Sequence, residues 1–182
     1  MIIILNKSLM NKICLLVLLV LYSPFTLATK TDPDFKESIE LNGDYLDLNL
    51  NSGVGLYQGN FEAIQGSMRL QGNEIQVKQQ KNHGLEYIVA LGQPVKFQKK
   101  NYQTGELIKG NAAKITYDAK KLLITLEGDA EISSDQGRSI KSHVITYGLT
   151  TGEIEAKGQS QRRVQIIIPP SGIKESVSVL VP

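Results

Sequence analysis

The sequence predicts an all-β fold assembled from repeated β-hairpin rungs, and three observations carry that prediction. Apolar residues recur at every second position along most of the chain, the spacing that places them on one face of a pleated strand. Glycines, several followed by Asn or Asp, punctuate these runs at intervals suited to turns. The phrase Gly59-Asn-Phe-Glu-Ala-Ile-Gln-Gly-Ser-Met-Arg-Leu-Gln-Gly-Asn-Glu-Ile-Gln-Val77 returns in degraded form three more times. One such unit leaves its apolar face uncovered, so a stack of units is needed to close a core.

Residues 1–28 read as a cleaved secretory signal peptide. Lys7 and Lys12 precede the apolar run Ile13 to Leu21, and Thr26-Leu27-Ala28 offers small residues at a cleavage site. Met10 is a second start that leaves a shorter leader. The run falls short of the roughly 20 residues that span a bilayer comfortably. The single cysteine, Cys14, lies inside this leader in a context unlike a lipoprotein signal, so the exported chain is expected to carry no thiol, disulfide or lipid anchor. Export without disulfides points to a bacterial periplasm. Removing Lys7 and Lys12 from the 20 basic residues leaves 18 against 18 acidic ones. That balance supplies no phosphate-neutralising charge for nucleic-acid binding.

From Thr29 to Ser38 the chain is polar and reads as an extended lead-in. Ile39 and Leu41 then alternate with Glu40, Gly43-Asp44 turns, Leu46, Leu48 and Leu50 alternate with Asp47 and Asn49, and Asn51-Ser52-Gly53 turns again. With a repeat of about 30 to 36 residues, one half-unit recurs as Leu41-Asn-Gly43, Leu70-Gln-Gly72, Ile108-Lys-Gly110 and Ile140-Lys-Ser142, each followed by an alternating apolar pair. The other half-unit opens on a glycine: Gly59-Asn-Phe61, Gly92-Gln-Pro-Val95, Gly128-Asp-Ala130, and Gly158 leading to Val164, Ile166 and Ile168. Given strands of about 5 to 6 residues, roughly fourteen to sixteen short antiparallel strands are expected, with each glycine a turn. No helix is expected. Gln79 to Gly84 and Lys99 to Gly105 read as exposed hairpin tips, Pro94 as adjoining a turn, and 169–182 as a flexible tail whose Val177 to Val181 could add a strand.

Reactive groups are sparse. His83 and His143 read as isolated turn histidines without the spacing of a zinc site. No serine stands in a G-x-S-x-G frame. Asp118, Glu127, Asp129 and Glu131 alternate with apolar residues, as on the outer face of strands. Lys99-Lys100, Lys120-Lys121 and Arg162-Arg163 read as solubilising basic pairs, with contact to an anionic headgroup as the functional alternative. The expectation is a protein with no catalytic residues, no metal and no cofactor.

The series Gly59 to Ile75, Gly92-Gln-Pro-Val-Lys-Phe97, Gly110-Asn-Ala-Ala-Lys-Ile-Thr-Tyr117, Leu126-Glu-Gly-Asp-Ala-Glu-Ile132 and Ile140-Lys-Ser-His-Val-Ile-Thr-Tyr147 resembles the periplasmic lipopolysaccharide-transport bridge proteins, the LptA or OstA-like family. The resemblance runs from Ile39 to Ile168. It implies an open, twisted β-jellyroll whose two sheets face each other across an apolar groove. It also implies head-to-tail self-assembly, capping by related jellyrolls of the inner-membrane export complex and the outer-membrane assembly protein, and movement driven by an ATPase elsewhere. Ser142 and His143 stand where the family typically has Gly and Asp, at what reads as a turn.

Lipid A carries several acyl chains, and one chain of about 14 carbons represents on the order of 10 kcal/mol of transfer from water. The expected groove lining is Ile39, Leu41, Ile75, Val77, Phe97, Ile115, Tyr117, Ile145 and Tyr147, of which Ile39, Leu41, Phe97 and Tyr117 match groove-facing family positions. The expected edges for self-assembly are Ile39 and Leu41 at one end and Val164, Ile166 and Ile168 at the other, since unpaired strand edges invite β-augmentation. Two readings compete: an exported structural β-solenoid or adhesion filament without lipid, and an enzyme on a β-sandwich.

Overall fold

The computed structural model describes residues 32–81, 84–160 and 163–170. The leader, Thr29 to Thr31, His83, Arg162 and the tail from Ser171 lie outside the described residues. The fold is all-β and the sheet is antiparallel and unclosed, as expected, but its strands are fewer and longer: β1 (Glu40–Asn42), β2 (Tyr45–Asn49), β3 (Val54–Gln65), β4 (Met68–Gln79), β5 (Leu85–Lys100), β6 (Leu107–Asp118), β7 (Leu123–Ser134), β8 (Ser139–Gly148), β9 (Ile154–Lys157) and β10 (Gln165–Ile167). Their order is β1-β3-β4-β5-β6-β7-β8-β10, with β2 also on β3 and β9 also on β8.

Ten strands replace fourteen to sixteen because many of the glycine phrases are corners inside strands, not hairpin turns. The register of every long pair shifts at these points, between Gln58 and Phe61, Gln71 and Glu74, Leu91 and Val95, Asn111 and Lys114, and Glu127 and Ala130. A bulge adds backbone on one strand and bends it. Gly59 and Asn60 both take positive φ (75° and 44°), and Gly128 and Asp129 repeat this (79° and 50°). Gly and Asn or Asp are the residues that tolerate this region. Pro94 lies within β5 at its corner, not beside a turn. Ser142 and His143 lie inside β8, also not in a turn.

The line of corners folds the ladder into two halves. One half holds β2, the start of β3, the end of β4, the start of β5, the end of β6, the start of β7, the end of β8, and β9; the other holds β1, β10 and the remaining segments. Their apolar faces form one buried core, in which Leu126 of the first half fills the space that a Cβ on Gly110 of the second would enter. The turns at Asn51 to Gly53 and Gly66-Ser67 fall where the alternation placed them, but Gly43-Asp44 is a further corner and not a turn, since β1 and β2 continue in one direction along β3. Two expectations at the ends are corrected. Residues Pro33–Lys36 of the lead-in form one turn of 3-10 helix, begun by the Asp32 side chain accepting the Asp34 amide. Lys99 is not at a hairpin tip: β5 continues through it and points it inward, with no exposure.

Candidate functional site

The inward side chains fall into three cross-strand rows. In the first half, Tyr57, Ile75, Ala90, Ile115, Leu126, Ile145 and Ala156 pair in succession. Beside them run Gly55, Val77, Ile88, Tyr117, Ile124, Tyr147 and Ile154. In the second half the row is Leu41, Ala63, Leu70, Phe97, Gly110, Ile132, Ile140 and Ile166. These rows collect every expected groove residue except Ile39, which directly precedes β1.

Each of the three rows runs out into solvent at one sheet edge or both, while Leu41 and Ala156 end theirs half-buried. Leu46 and Leu48 of β2 extend the first two rows past Tyr57 and Gly55 and are 45% and 50% exposed. At the opposite edge Ile154 and Ile166 are 39% and 58% exposed. A sandwich closed on itself has no reason to place branched apolar residues there. An interior continued by another surface does.

The centre is packed tight. Ile75, Ile115 and Ile145 are fully buried, while Ile39, Phe97, Ile115 and Tyr117 line a cavity of about 50 Å³ together with Met68 and Leu149, with Gln65 and Arg69 also on its wall. A second recess, of about 410 Å³, lies towards β10, where Tyr147 and Ile140 meet Ile166 to Ile168 and the Glu106–Arg138 ion pair stands close by. The expected groove residues are thus divided. Ile75, Val77 and Ile145 line neither space, and Leu41 packs half-buried against the core. Val164 is exposed and lines neither.

Burial pushes the phenols of Tyr117 and Tyr147 upward, assisted by Asp118 for the first and by Asp32 and Glu106 for the second. Both therefore stay neutral in neutral water, and the rows carry no charge. The outer-face carboxylates Glu127 and Glu131 pair with Lys114 and Lys141, as alternation implies. Among the described residues no three His, Cys, Asp or Glu side chains are grouped to hold a metal.

Several residues were not singled out from sequence. Ile88 belongs to the mixed stretch Leu85 to Leu91, whose facing periodicity leaves open; pairing with Val77 and Tyr117 turns Ile88 and Ala90 inward. Leu149 follows β8 in a turn and escapes any strand period. The larger omission is a buried polar cluster. Asp34 is 1% exposed and accepts hydrogen bonds from the Ser67 amide (2.7 Å) and hydroxyl (2.6 Å), the Tyr102 hydroxyl (2.9 Å) and the Lys99 ammonium (3.1 Å). Lys99 also donates to Asp32 and to the Lys100 carbonyl. Burial alone raises the Asp34 carboxyl, but the donors from Ser67, Lys99 and Tyr102 outweigh it and hold the group below the ordinary carboxylate value.

Comparison with known proteins adds sequence and structural relatives. Residues 40–153 match the family model described as "LptA/(LptD N-terminal domain) LPS transport protein". The lipopolysaccharide export system protein LptA of Haemophilus influenzae is 28% identical over 172 residues, 93% of this chain and 98% of that protein. The lipopolysaccharide export system protein LptH of Pseudomonas aeruginosa is 25% identical over 122 residues, 67% of this chain and 69% of its own. The crystal structure of LptH, described as the LptA-homologous periplasmic component of the lipopolysaccharide transport device of that organism, superposes with a TM-score of 0.70 at 25% identity, covering 76% of this chain and all of that one.

Proposed function

This chain belongs to the family of LptA and LptD N-terminal domain LPS transport proteins, and we propose that it carries lipopolysaccharide across the periplasm, with lipid A acyl chains held between its two sheet halves. Support comes from the three apolar rows that end in exposed Leu46 and Leu48 on one side and Ile154 and Ile166 on the other. An acyl chain of about 14 carbons resists water by on the order of 10 kcal/mol, so a carrier needs an apolar path and no chemistry. The domain from Ile39 to Ile168 supplies it, with Ile39 and Leu41 at the entry edge, Phe97 and Tyr117 midway along their rows, and Tyr147 and Ile166 towards the other edge. Ile75, Val77, Ile115 and Ile145 form the floor.

The exposed rows also account for assembly. Copies stack head-to-tail when β9 and β10 of one meet β2 and β1 of the next, which joins row to row and satisfies the unpaired edge groups. Related jellyrolls of an inner-membrane export complex and an outer-membrane assembly protein would cap the ends in the same way. The cleaved leader accounts for export.

Purified protein is expected to bind lipopolysaccharide saturably, with competition by lipid A and none by the deacylated saccharide. Competition by the saccharide alone would place recognition on an outer face and overturn the acyl groove.

A further inference from the structure

The cavity lined by Ile39, Phe97 and Tyr117 is about 50 Å³, a third of the ~150 Å³ that accepts a single benzene ring, whereas the recess towards β10 is about 410 Å³. No acyl chain passes the narrow part until the halves separate there. The line of bulges is a natural hinge, and the free ends of the halves meet opposite it, where Gln103 Nε2 of the β5–β6 loop donates to the Thr150 carbonyl after β8 (3.3 Å).

Residues Asp32 to Lys36 sit at this closure. Phe35 packs half-buried against the core, four residues upstream of Ile39, which lines the cavity wall. Asp34 beside it is bolted to Ser67 in the β3–β4 turn, to Lys99 at the end of β5 and to Tyr102 in the β5–β6 loop. The side chain fits because Gly66 has no Cβ: one built there would lie 2.3 Å from Asp34 Oδ1. Gln65, which also lines the cavity, donates to the Glu37 carbonyl (3.0 Å) and ties down the far end of the segment. Lys99 lies 5.9 Å from the Phe35 ring centroid, so the ammonium holds the aromatic as well as the carboxylates.

This arrangement spends a fully buried lysine and a buried aspartate on a segment of five residues that contributes no strand. A buried ion pair is weak as a general stabiliser and is best suited to fixing one arrangement over another. Resting on the transport reading above, we propose that Asp32–Lys36 is a latched plug over the entry end of the groove, with Asp34–Lys99 as the latch and Phe35 as the stopper. Acyl chains enter when it is displaced.

The test uses the full exported protein with Asp34→Cys and Ser67→Cys, two side chains already in contact, in a chain whose only native cysteine is Cys14 in the leader. Reduced, this variant has lost the latch; oxidised, it is latched covalently. Lipopolysaccharide is expected to bind the oxidised form at least tenfold more weakly than the reduced form, while the reductant leaves wild type unchanged. Phe35→Ala is expected to take up lipopolysaccharide severalfold faster than wild type, with its sheet content unaltered. Equal binding by both redox states, or a Phe35→Ala rate equal to wild type, overturns the plug and leaves the transport reading intact. Failure of wild type itself to bind overturns the transport reading, and the plug with it.

Discussion

Asp34 and Lys99, 65 positions apart in sequence, form an ion pair 3.1 Å long in which neither side chain is more than 1% exposed. Removing Lys99 leaves Asp34 buried without its counter-charge, whereas removing Asp34 leaves Lys99 paired with Asp32. Lys99→Ala is therefore expected to cost about 3 to 5 kcal/mol in urea denaturation, and Asp34→Ala less. The joint replacement Asp34→Leu with Lys99→Met should cost clearly less than the sum of the two single changes.

The same pair sets an acid limit. The folded Asp34 carboxyl lies below its ordinary value, so its contribution is complete above the unfolded value of about 3.9 and disappears as pH falls through the folded one. Melting temperature should fall with acidification below about pH 4, and this dependence should flatten in Asp34→Asn. An equally steep acid profile in that variant would assign the loss to other carboxylates.

At the strand corners, Asn60 has φ of 44° and its side chain donates to Asp44 (3.1 Å). Asn60→Val places a β-branched residue in the left-handed region and is expected to destabilise by about 1 to 3 kcal/mol. Asn60→Gly should stay within about 1 kcal/mol of wild type, since the lost hydrogen bond is offset by relief of backbone strain. Equal losses would assign the role of Asn60 to its hydrogen bond.

Ser142 is 7% exposed and its hydroxyl has no hydrogen-bond partner among the described residues. Since a buried unsatisfied hydroxyl costs about 1 to 3 kcal/mol, Ser142→Ala is expected to raise stability by about 1 kcal/mol. Loss of stability on this change would mean that the hydroxyl is satisfied, by an ordered water for example.

Ile166 ends one apolar row on β10. Ile166→Lys puts a charge on the edge that head-to-tail stacking must cover. Light scattering should show wild-type mass rising from micromolar to millimolar concentration and the variant remaining smaller throughout. A wild type that stays monomeric over that range would contradict the stacked bridge.

The alternation of Ile75 and Val77, of Ile115 and Tyr117, and of Ile145 and Tyr147 made the rows legible, because period two fixes facing once a strand is long enough. The corners were misread as turns since Gly-Asn suits both, and only the partner strand decides whether the chain reverses or bends. The buried Lys99 was hidden for a different reason. Its partners Asp32 and Asp34 lie in a polar stretch with no period, and Lys99-Lys100 is indistinguishable by type from a surface pair.

The most direct test of a lipid-carrying interior is photocrosslinking from inward Phe97 and Tyr117, with their outward neighbours Lys96 and Thr116 as controls, in cells making labelled lipopolysaccharide. Crosslinks confined to Phe97 and Tyr117 are predicted. In a protein shown to be folded, crosslinks from the controls alone, or from none of the four positions, would contradict the groove and leave the sheet edges as the function that remains.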